Sequence, residues 1–367
     1  MRNMSVAWIG SQPVSLMDAI QNVAKLLVSS RCPVFTIDAD VHGTRSAIAL
    51  AERVGGAFDH IHGDMLAREV ALFADQGAMI TTPGEARRRS SLIVLVGDIP
   101  VAHHELLLHL AGSNPDLGDR NKRVWFHVEG ASEPTSDAGR LHRKLRSVAI
   151  GGEGLGLAGT LAALRASLLG RNHQTGSLAN VDRLKSALGK SRFPVFVFSG
   201  TMNSPDLAML QGLVADLNKQ GRASSLFLPT DDDAWGTALT SLWMTGFPPR
   251  TGFSNSLPSY DPVRWDTQRM VRDKEADLHV WVSARGTVPP KGRIGLVSLS
   301  RTEKRTEGAA VTISVGRAGV DHDGVAFSSR IGTFHSLTAS APSELPSIAS
   351  VLQQLALVLP GRKGLPC

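Results

Sequence analysis

Ser91-Leu92-Ile93-Val94-Leu95-Val96-Gly97-Asp98-Ile99-Pro100 constrains the fold more than any other stretch of the chain. Leu92 to Val96 is an unbroken, largely β-branched apolar run, the pattern of a strand covered on both faces in a parallel sheet. Gly97 ends it, and apolar residues then recur at Leu106, Leu107 and Leu110 with helical spacing, so the segment reads as strand, loop and helix. Ligands of open parallel sheets sit at the carboxyl ends of strands, which makes residues 97–104 the loop where a site is expected.

At 367 residues the chain is long enough for two α/β domains. No apolar run reaches the roughly 18 residues of a membrane span, and residues 1–16 lack the basic, apolar, small-residue order of a secretory signal, so a cytoplasmic location is expected. The two cysteines, Cys32 and Cys367, are too few for an internally ligated iron–sulfur cluster or a cysteine-rich zinc site. A net charge of +6 points to an acidic neighbour: nucleic acid, an anionic small molecule or an acidic protein partner. A single tyrosine, and no basic block interleaved with aromatics, argue against nucleic acid.

The strand-helix alternation occurs twice. In the first half, strands are expected over 6–9, 34–37, 92–96 and 124–128, with an extended piece at 57–59 and helices over 14–28, 45–54 and 65–75. After a polar linker it restarts, with strands over 194–198, 225–228, 276–282, 293–299 and 309–315 and helices over 205–219 and 345–358. The expected layout is a first α/β domain over 1–150, connecting helices and linker over 151–190, a second α/β domain over 191–340, and a C-terminal helix and tail over 341–367.

Several clusters invite chemistry. Asp59, His60, His62 and Asp64, with His103 and His104 at another strand end, are zinc- or iron-type donors, but their spacing matches no metal motif, and hydrogen-bonding histidines in a loop are the favoured reading. Asp231-Asp232-Asp233 has the donors for Mg²⁺ or, equally, for a helix N-cap. Gly154, Gly156 and Gly159 match G-x-G-x-x-G, yet the lead-in strand is only three residues and a polar linker follows, so a turn into a helix over 160–169 is expected. Neither G-x-S-x-G nor a P-loop occurs. The basic stretches at 87–89 and 140–146 read as solvated helix faces or anion contacts.

Taken in order, Ile48-Ala49-Leu50-Ala51-Glu52-Arg53-Val54-Gly55, Asp59, His62-Gly63, Thr82-Pro83-Gly84-Glu85, Ile93 to Pro100 and His103 resemble the molybdopterin-dependent oxidoreductase core, and most of all the B component of formylmethanofuran dehydrogenase. Ser199-Gly200-Thr201, Trp243 to Pro248, Pro258 to Pro262 and Ala276-Asp277 extend the resemblance over nearly the whole chain. It implies two Rossmann-like doubly wound domains of that superfamily's type, without the iron–sulfur domain. Two departures stand out. The catalytic family carries cysteines for a 4Fe–4S cluster near its N-terminus, where residues 1–30 have none, and a cysteine ligand to molybdenum or tungsten directly before a His-Gly pair, where Ile61 stands here. Isoleucine supplies no thiolate.

With these losses the chain resembles the B components of the formyltransferase/hydrolase complexes of methylotrophic bacteria, relatives of formylmethanofuran dehydrogenase. The resemblance implies a non-catalytic scaffold with no molybdenum, tungsten, pterin or 4Fe–4S cofactor. Its implied partners are an amidohydrolase-like A component, a β-helical C component and a formyltransferase D component, with no nucleic acid and no membrane. In such a complex the formyl group passes from formyl-tetrahydromethanopterin to methylofuran and leaves as formate. Ile61, His62, Gly63, Gly97, Asp98 and His103 would then mark a vestigial cofactor cleft, and Arg87, Arg88, Arg89, Arg140, Arg143 and Lys144 are candidates for holding the carrier's acidic tail. Two alternatives remain at this stage: an active molybdopterin-dependent enzyme, and a free-standing nucleotide-binding α/β protein.

Overall fold

The computed structural model describes residues 6–117, 122–128, 136–152, 154–171, 178–292 and 294–360. Cys367 and the expected tail after 360, the middle of the linker between 171 and 180, the start of the polar stretch at 132 and Arg293 lie outside the described residues. The chain divides into two compact units that interleave along the sequence. Met1–Ala67, Asp231–Phe327 and Phe334–Cys367 form the first, and Arg68–Thr230 with Ser328–Thr333 forms the second.

The first unit opens with β1 (Ala7–Ile9), β2 (Gln12–Val14), α1 (Leu16–Ser29), β3 (Pro33–Asp38), α2 (Val41–Val54), β4 (Ala57–His60) and the start of α3 (Gly63–Gln76). The second contains α4 (Pro83–Arg89), β5 (Leu92–Val96), α5 (His104–Ala111), β6 (Val124–Val128), α6 (Ser136–Leu145), β7 (Val148–Ile150), α7 (Leu157–Leu168), α8 (Val181–Lys190), β8 (Val195–Ser199), α9 (Ser204–Leu217) and β9 (Ser224–Leu228). The chain then returns to the first unit through α10 (Asp232–Thr245), β10 (Thr251–Gly252), β11 (Ser259–Tyr260), α11 (Thr267–Arg272), β12 (Leu278–Ser283), β13 (Gly295–Ser300), β14 (Val311–Ser314), β15 (Gly324–Ser328), β16 (Thr333–Leu337) and α12 (Ile348–Val358).

The first unit's sheet runs β11-β10-β4-β3-β12-β13-β14-β1-β2, with β4 to β14 parallel and the outer pairs antiparallel. From β3 the chain crosses to β4, whereas from β12 it proceeds the other way to β13, so the topological switch lies between β3 and β12, where Asp38 pairs with Ser283. The second unit has an all-parallel sheet, β7-β6-β5-β8-β9, whose switch lies between β5 and β8. The α/β class with buried parallel strands is therefore as expected. The sequential split at 150 and 190 is not: the strand at 34–37 lies between 57–60 and 278–283 and not beside 92–96, which takes 195–197 as a neighbour. All these strands are buried on both faces, so their apolar pattern says that each is central without saying beside which other strand it lies.

Local chemistry sets the element ends. Asp40 caps α2 by accepting from the Gly43 N–H at 3.0 Å, and Gly55, at φ +69°, closes it in the left-handed conformation that glycine adopts without strain. This capping starts the helix at 41, four residues before the expected 45, because Asp40 and not a later residue satisfies the first amides. Ala19, Ile20, Val23, Ala24 and Leu27 give α1 the buried stripe that the sequence pattern predicts. Gly154-Leu155-Gly156 leads from β7, an edge strand, into α7, which starts at Leu157, three residues before the expected 160.

A buried polar pair within the first unit's sheet tests this packing. His279 in β12 is 2 % exposed, its Nε2 lies 2.9 Å from the Thr36 hydroxyl, and burial lowers its imidazole to about 4. Its neutral form is the native one, so its contribution to stability is complete above the unfolded value near 6.5 and is lost as pH falls from there toward 4. Comparison with His279→Gln, in which no imidazole can titrate, is expected to show the wild-type chain losing about 2 kcal/mol more than the variant between pH 7 and pH 5 in denaturant unfolding. Parallel pH profiles for the two proteins would contradict this assignment.

Candidate functional site

At the carboxyl edge of the first unit's sheet, Asp38 ends β3 and Arg285 follows β12. The Arg285 Nε donates to both Asp38 oxygens at 3.1 Å, and Nη1 donates to Asp231 at 2.8 Å and lies 3.7 Å from Asp233. Burial opposes the guanidinium's charge, but its bonds to Asp38 and Asp231 outweigh that and raise it above the ordinary arginine value. Asp231 is likewise resisted by burial and still held below the usual carboxylate range, by Arg285 and by the Ala234 N–H that it accepts as N-cap of α10. Burial pushes Asp233 upward. The aspartate triplet is thus a helix cap joined to an ion pair, the structural alternative to a Mg²⁺ site.

Beside this cluster, burial lowers His60 to about 3, and its Nδ1 accepts the His62 backbone N–H at 3.0 Å. The nitrogen that accepts cannot carry the proton, so Nε2 does. Asp59 accepts the His60 N–H at 2.7 Å and Arg250 Nε at 3.2 Å, while burial pushes its carboxyl up to about 7 against the pull of Arg250. Arg250 also binds Asp64 and the Pro262 carbonyl. Gly63 rests directly on Asp59: a Cβ there would overlap the carboxylate, which accounts for the glycine of the His62-Gly63 pair. Ile61 is buried at 6 % exposure and uses only its backbone, accepting from Gln268 and donating to the Ile37 carbonyl. Among the described residues no group of three or more His, Cys, Asp or Glu side chains is placed to hold a metal.

Gly97, Asp98 and His103 belong to the second unit, so the six residues of the expected cleft divide between the two units. At the switch between β5 and β8, Ser199 Oγ donates to the Asp98 carbonyl at 2.7 Å and Thr201 Oγ1 does so at 3.2 Å. Fully buried Glu69 reaches the same strand ends, accepting the Thr230 N–H at 2.7 Å and lying so close over Gly200 that any Cβ there would collide with its carboxylate. His103 is fixed by the Pro229 carbonyl on Nε2 at 2.7 Å and Ser329 on Nδ1 at 3.3 Å. His104 bonds the Ile99 carbonyl.

Of the basic residues singled out in the sequence, Arg88 pairs with Asp116 at 3.2 Å and Arg89 with Glu85 at 3.4 Å, both on the surface. Arg87, Arg140, Arg143 and Lys144 are exposed and have no carboxylate partner among the described residues. Arg285, Glu69 and Arg250 were not legible as site residues. Their only sequence signals are Arg285 in the loop after a buried strand and the tight Ser199-Gly200-Thr201 turn that a carboxylate covers.

No protein-family model matches the chain. Over 350 residues it is 30% identical to the B component of the formyltransferase/hydrolase complex Fhc from Methylorubrum extorquens AM1, with 93% of each sequence covered. The chain belongs to the family of Fhc B components. Its structure superposes on the crystal structure of the Methylorubrum extorquens FhcABCD complex with methylofuran at a TM-score of 0.80 and 28% identity, covering 95% of this chain and 97% of that one. The B component of the tungsten-containing formylmethanofuran dehydrogenase 2 of Methanocaldococcus jannaschii is a more distant relative, 22% identical over 84% of this chain and 75% of its own length.

The residues of this Fhc-type chain do not fit a pterin-held tungsten or molybdenum. Ile61 presents buried hydrocarbon. Cys32 precedes the amino end of β3, roughly 20 Å of extended chain away from Asp38, and burial with Asp277 and Glu275 pushes its thiol upward, away from the thiolate that a metal needs. The N-terminal amides of α2 and α10, suited to a ligand's phosphates, are already capped by Asp40 and Asp231. An anionic cofactor at this edge would face Asp38, Asp40, Asp231 and Asp233, with Arg285 already bonded to two of them. Removing the guanidinium by Arg285→Met is expected to destabilise the chain by about 3 kcal/mol in denaturant unfolding, because two partly buried carboxylates lose their counter-charge. A cost under about 0.5 kcal/mol would show that the ion pair does not hold this edge together.

Proposed function

We propose that this chain is a non-catalytic scaffold of a formyltransferase/hydrolase complex. It would hold an amidohydrolase-like A component, a β-helical C component and a formyltransferase D component together while the formyl group moves from formyl-tetrahydromethanopterin to methylofuran and is hydrolysed to formate. Its place is in one-carbon oxidation, it carries no molybdenum, tungsten, pterin or 4Fe–4S group, and its ancestral formylmethanofuran dehydrogenase chemistry is gone. The observation that carries this reading is the closure of the first unit's switch point by Arg285 and its aspartates, with isoleucine at the former thiolate position. Membership in the family of Fhc B components and the likeness to a solved FhcABCD assembly support the partners and the carrier. Arg87, Arg140, Arg143 and Lys144 remain the candidates for holding the acidic part of the carrier, since Arg88 and Arg89 are already paired.

Among the described residues no helix is long and apolar enough to cross a membrane. The test is to co-express the chain with its three partner proteins. Exposed His62 and Asp98, one in each unit, are replaced singly by alanine. Formyl transfer and hydrolysis by the assembled complex are expected to stay within about twofold of wild type, because side chains that touch no reacting atom contribute little to the barrier. Omitting the chain is expected to disperse the complex. Loss of about tenfold or more in rate by an intact complex carrying either variant, or stoichiometric tungsten or molybdenum on elemental analysis, would overturn the proposal.

A further inference from the structure

The two faces of the first unit's sheet differ in kind. Phe35, Val280, Val297 and Val311 stand in register on one face, within a continuous apolar core. The next residues along, Thr36, Trp281, Ser298 and Thr312, point the other way and are buried and mostly polar. On that second face, near the amino ends of β12 and β13, α11 with residues 288–292 and 306–308 borders a cavity of about 280 Å³. Val271, Pro289, Ile294 and Leu296 make its walls mainly apolar. It lies toward the opposite end of the strands from Asp38 and Arg285.

Among the described residues His279 is the one buried polar side chain that lines this cavity. Its Nε2 is taken by Thr36 Oγ1 at 2.9 Å, which lies in turn 2.9 Å from Thr267 Oγ1, and Trp281 packs perpendicular to the ring with centroids 5.6 Å apart. Nδ1 has no partner among the described residues and is not sealed inside the protein, so it is left for a ligand. The imidazole is neutral, and Nδ1 donates or accepts according to its tautomer; a hydroxyl answers both. Lys291 and Glu307 at the rim are exposed and opposite in sign, which gives an anion no advantage. The space equals about nine waters at roughly 30 Å³ each, hence a ligand of a similar number of non-hydrogen atoms. Water itself fits poorly, because each ordered molecule needs about two to four polar partners and these walls offer few. A rigid ring loses less freedom on entering than a flexible alkyl chain. We propose that this cavity binds a small neutral phenol, its hydroxyl on His279 Nδ1 and its ring against Val271, Pro289, Ile294 and Leu296. The inference rests on the cavity alone and not on the scaffold reading.

Titration of 4-fluorophenol into the full-length chain, followed by fluorine NMR, tests it. Saturable binding is expected. Fluorobenzene, which keeps the ring and lacks the hydroxyl, should bind roughly tenfold more weakly, the worth of one hydrogen bond. In chain labelled with nitrogen-15 at histidine, the Nδ1 resonance that is missing from His279→Gln should shift as 4-fluorophenol is added. Ile294→Trp, which fills the cavity from its wall and leaves His279 in place, should bind roughly tenfold or more weakly at unchanged melting temperature. Where that variant melts lower than wild type, the two ligands on the wild-type chain decide alone. Absence of saturable binding, equal affinity for fluorobenzene, an unmoved His279 resonance, or undiminished binding by folded Ile294→Trp would overturn the proposal.

Discussion

The bond of Arg285 to Asp38 and Asp231 is the interaction on which the rest of the account depends. Asp38 ends β3, an interior strand of a nine-stranded sheet, Asp231 caps the helix by which the chain re-enters that unit, and Arg285 follows β12, the strand adjoining β3. One guanidinium therefore ties three chain segments, far apart in sequence, at the switch point where an open α/β sheet presents its crevice. The geometry is suited to this role, because an arginine fork satisfies two carboxylates at once where a lysine would satisfy them as a point charge.

The second unit arrives at the same outcome with different groups. Ser199 and Thr201 hydroxyls bond the Asp98 carbonyl, and Glu69 lies over Gly200 to accept the Thr230 amide. At both strand edges, the polar groups are bonded to other groups of the same unit. The sheets do not need a ligand to persist. Their strands are buried on both faces and held by continuous apolar cores, Phe35, Ile37, Val280 and Val282 in one unit and Ile93, Leu95, Val195 and Val197 in the other. A fold whose stability lies in its core can change what it binds at its strand ends and keep the same architecture.

Much of this was legible in the sequence. Leu92 to Val96 announced a central parallel strand, Gly55 a helix end, and Gly154 a turn into a helix. The resemblance at His62-Gly63 implies that Ile61 stands at the catalytic family's thiolate position, and the structure shows that its side chain is buried. The interleaving of the two units was not visible, since strands buried on both faces carry no mark of their neighbours, and the split at 150 and 190 followed chain order where the sheets do not. The site's own closure was hidden for a related reason. Arg285 and Glu69 are charged residues of ordinary appearance, and only the fold brings them to Asp38, Asp231, Gly200 and Thr230.

The most direct measurement of the central claim is experimental density at the carboxyl ends of β3 and β12 in the assembled complex, obtained from cells supplied with tungstate and molybdate. The account predicts the Arg285 guanidinium seated between Asp38 and Asp231, with the Ile61 side chain packed in the interior. Density for a pterin or its phosphates at that edge, with Arg285 turned away from Asp38, would contradict it.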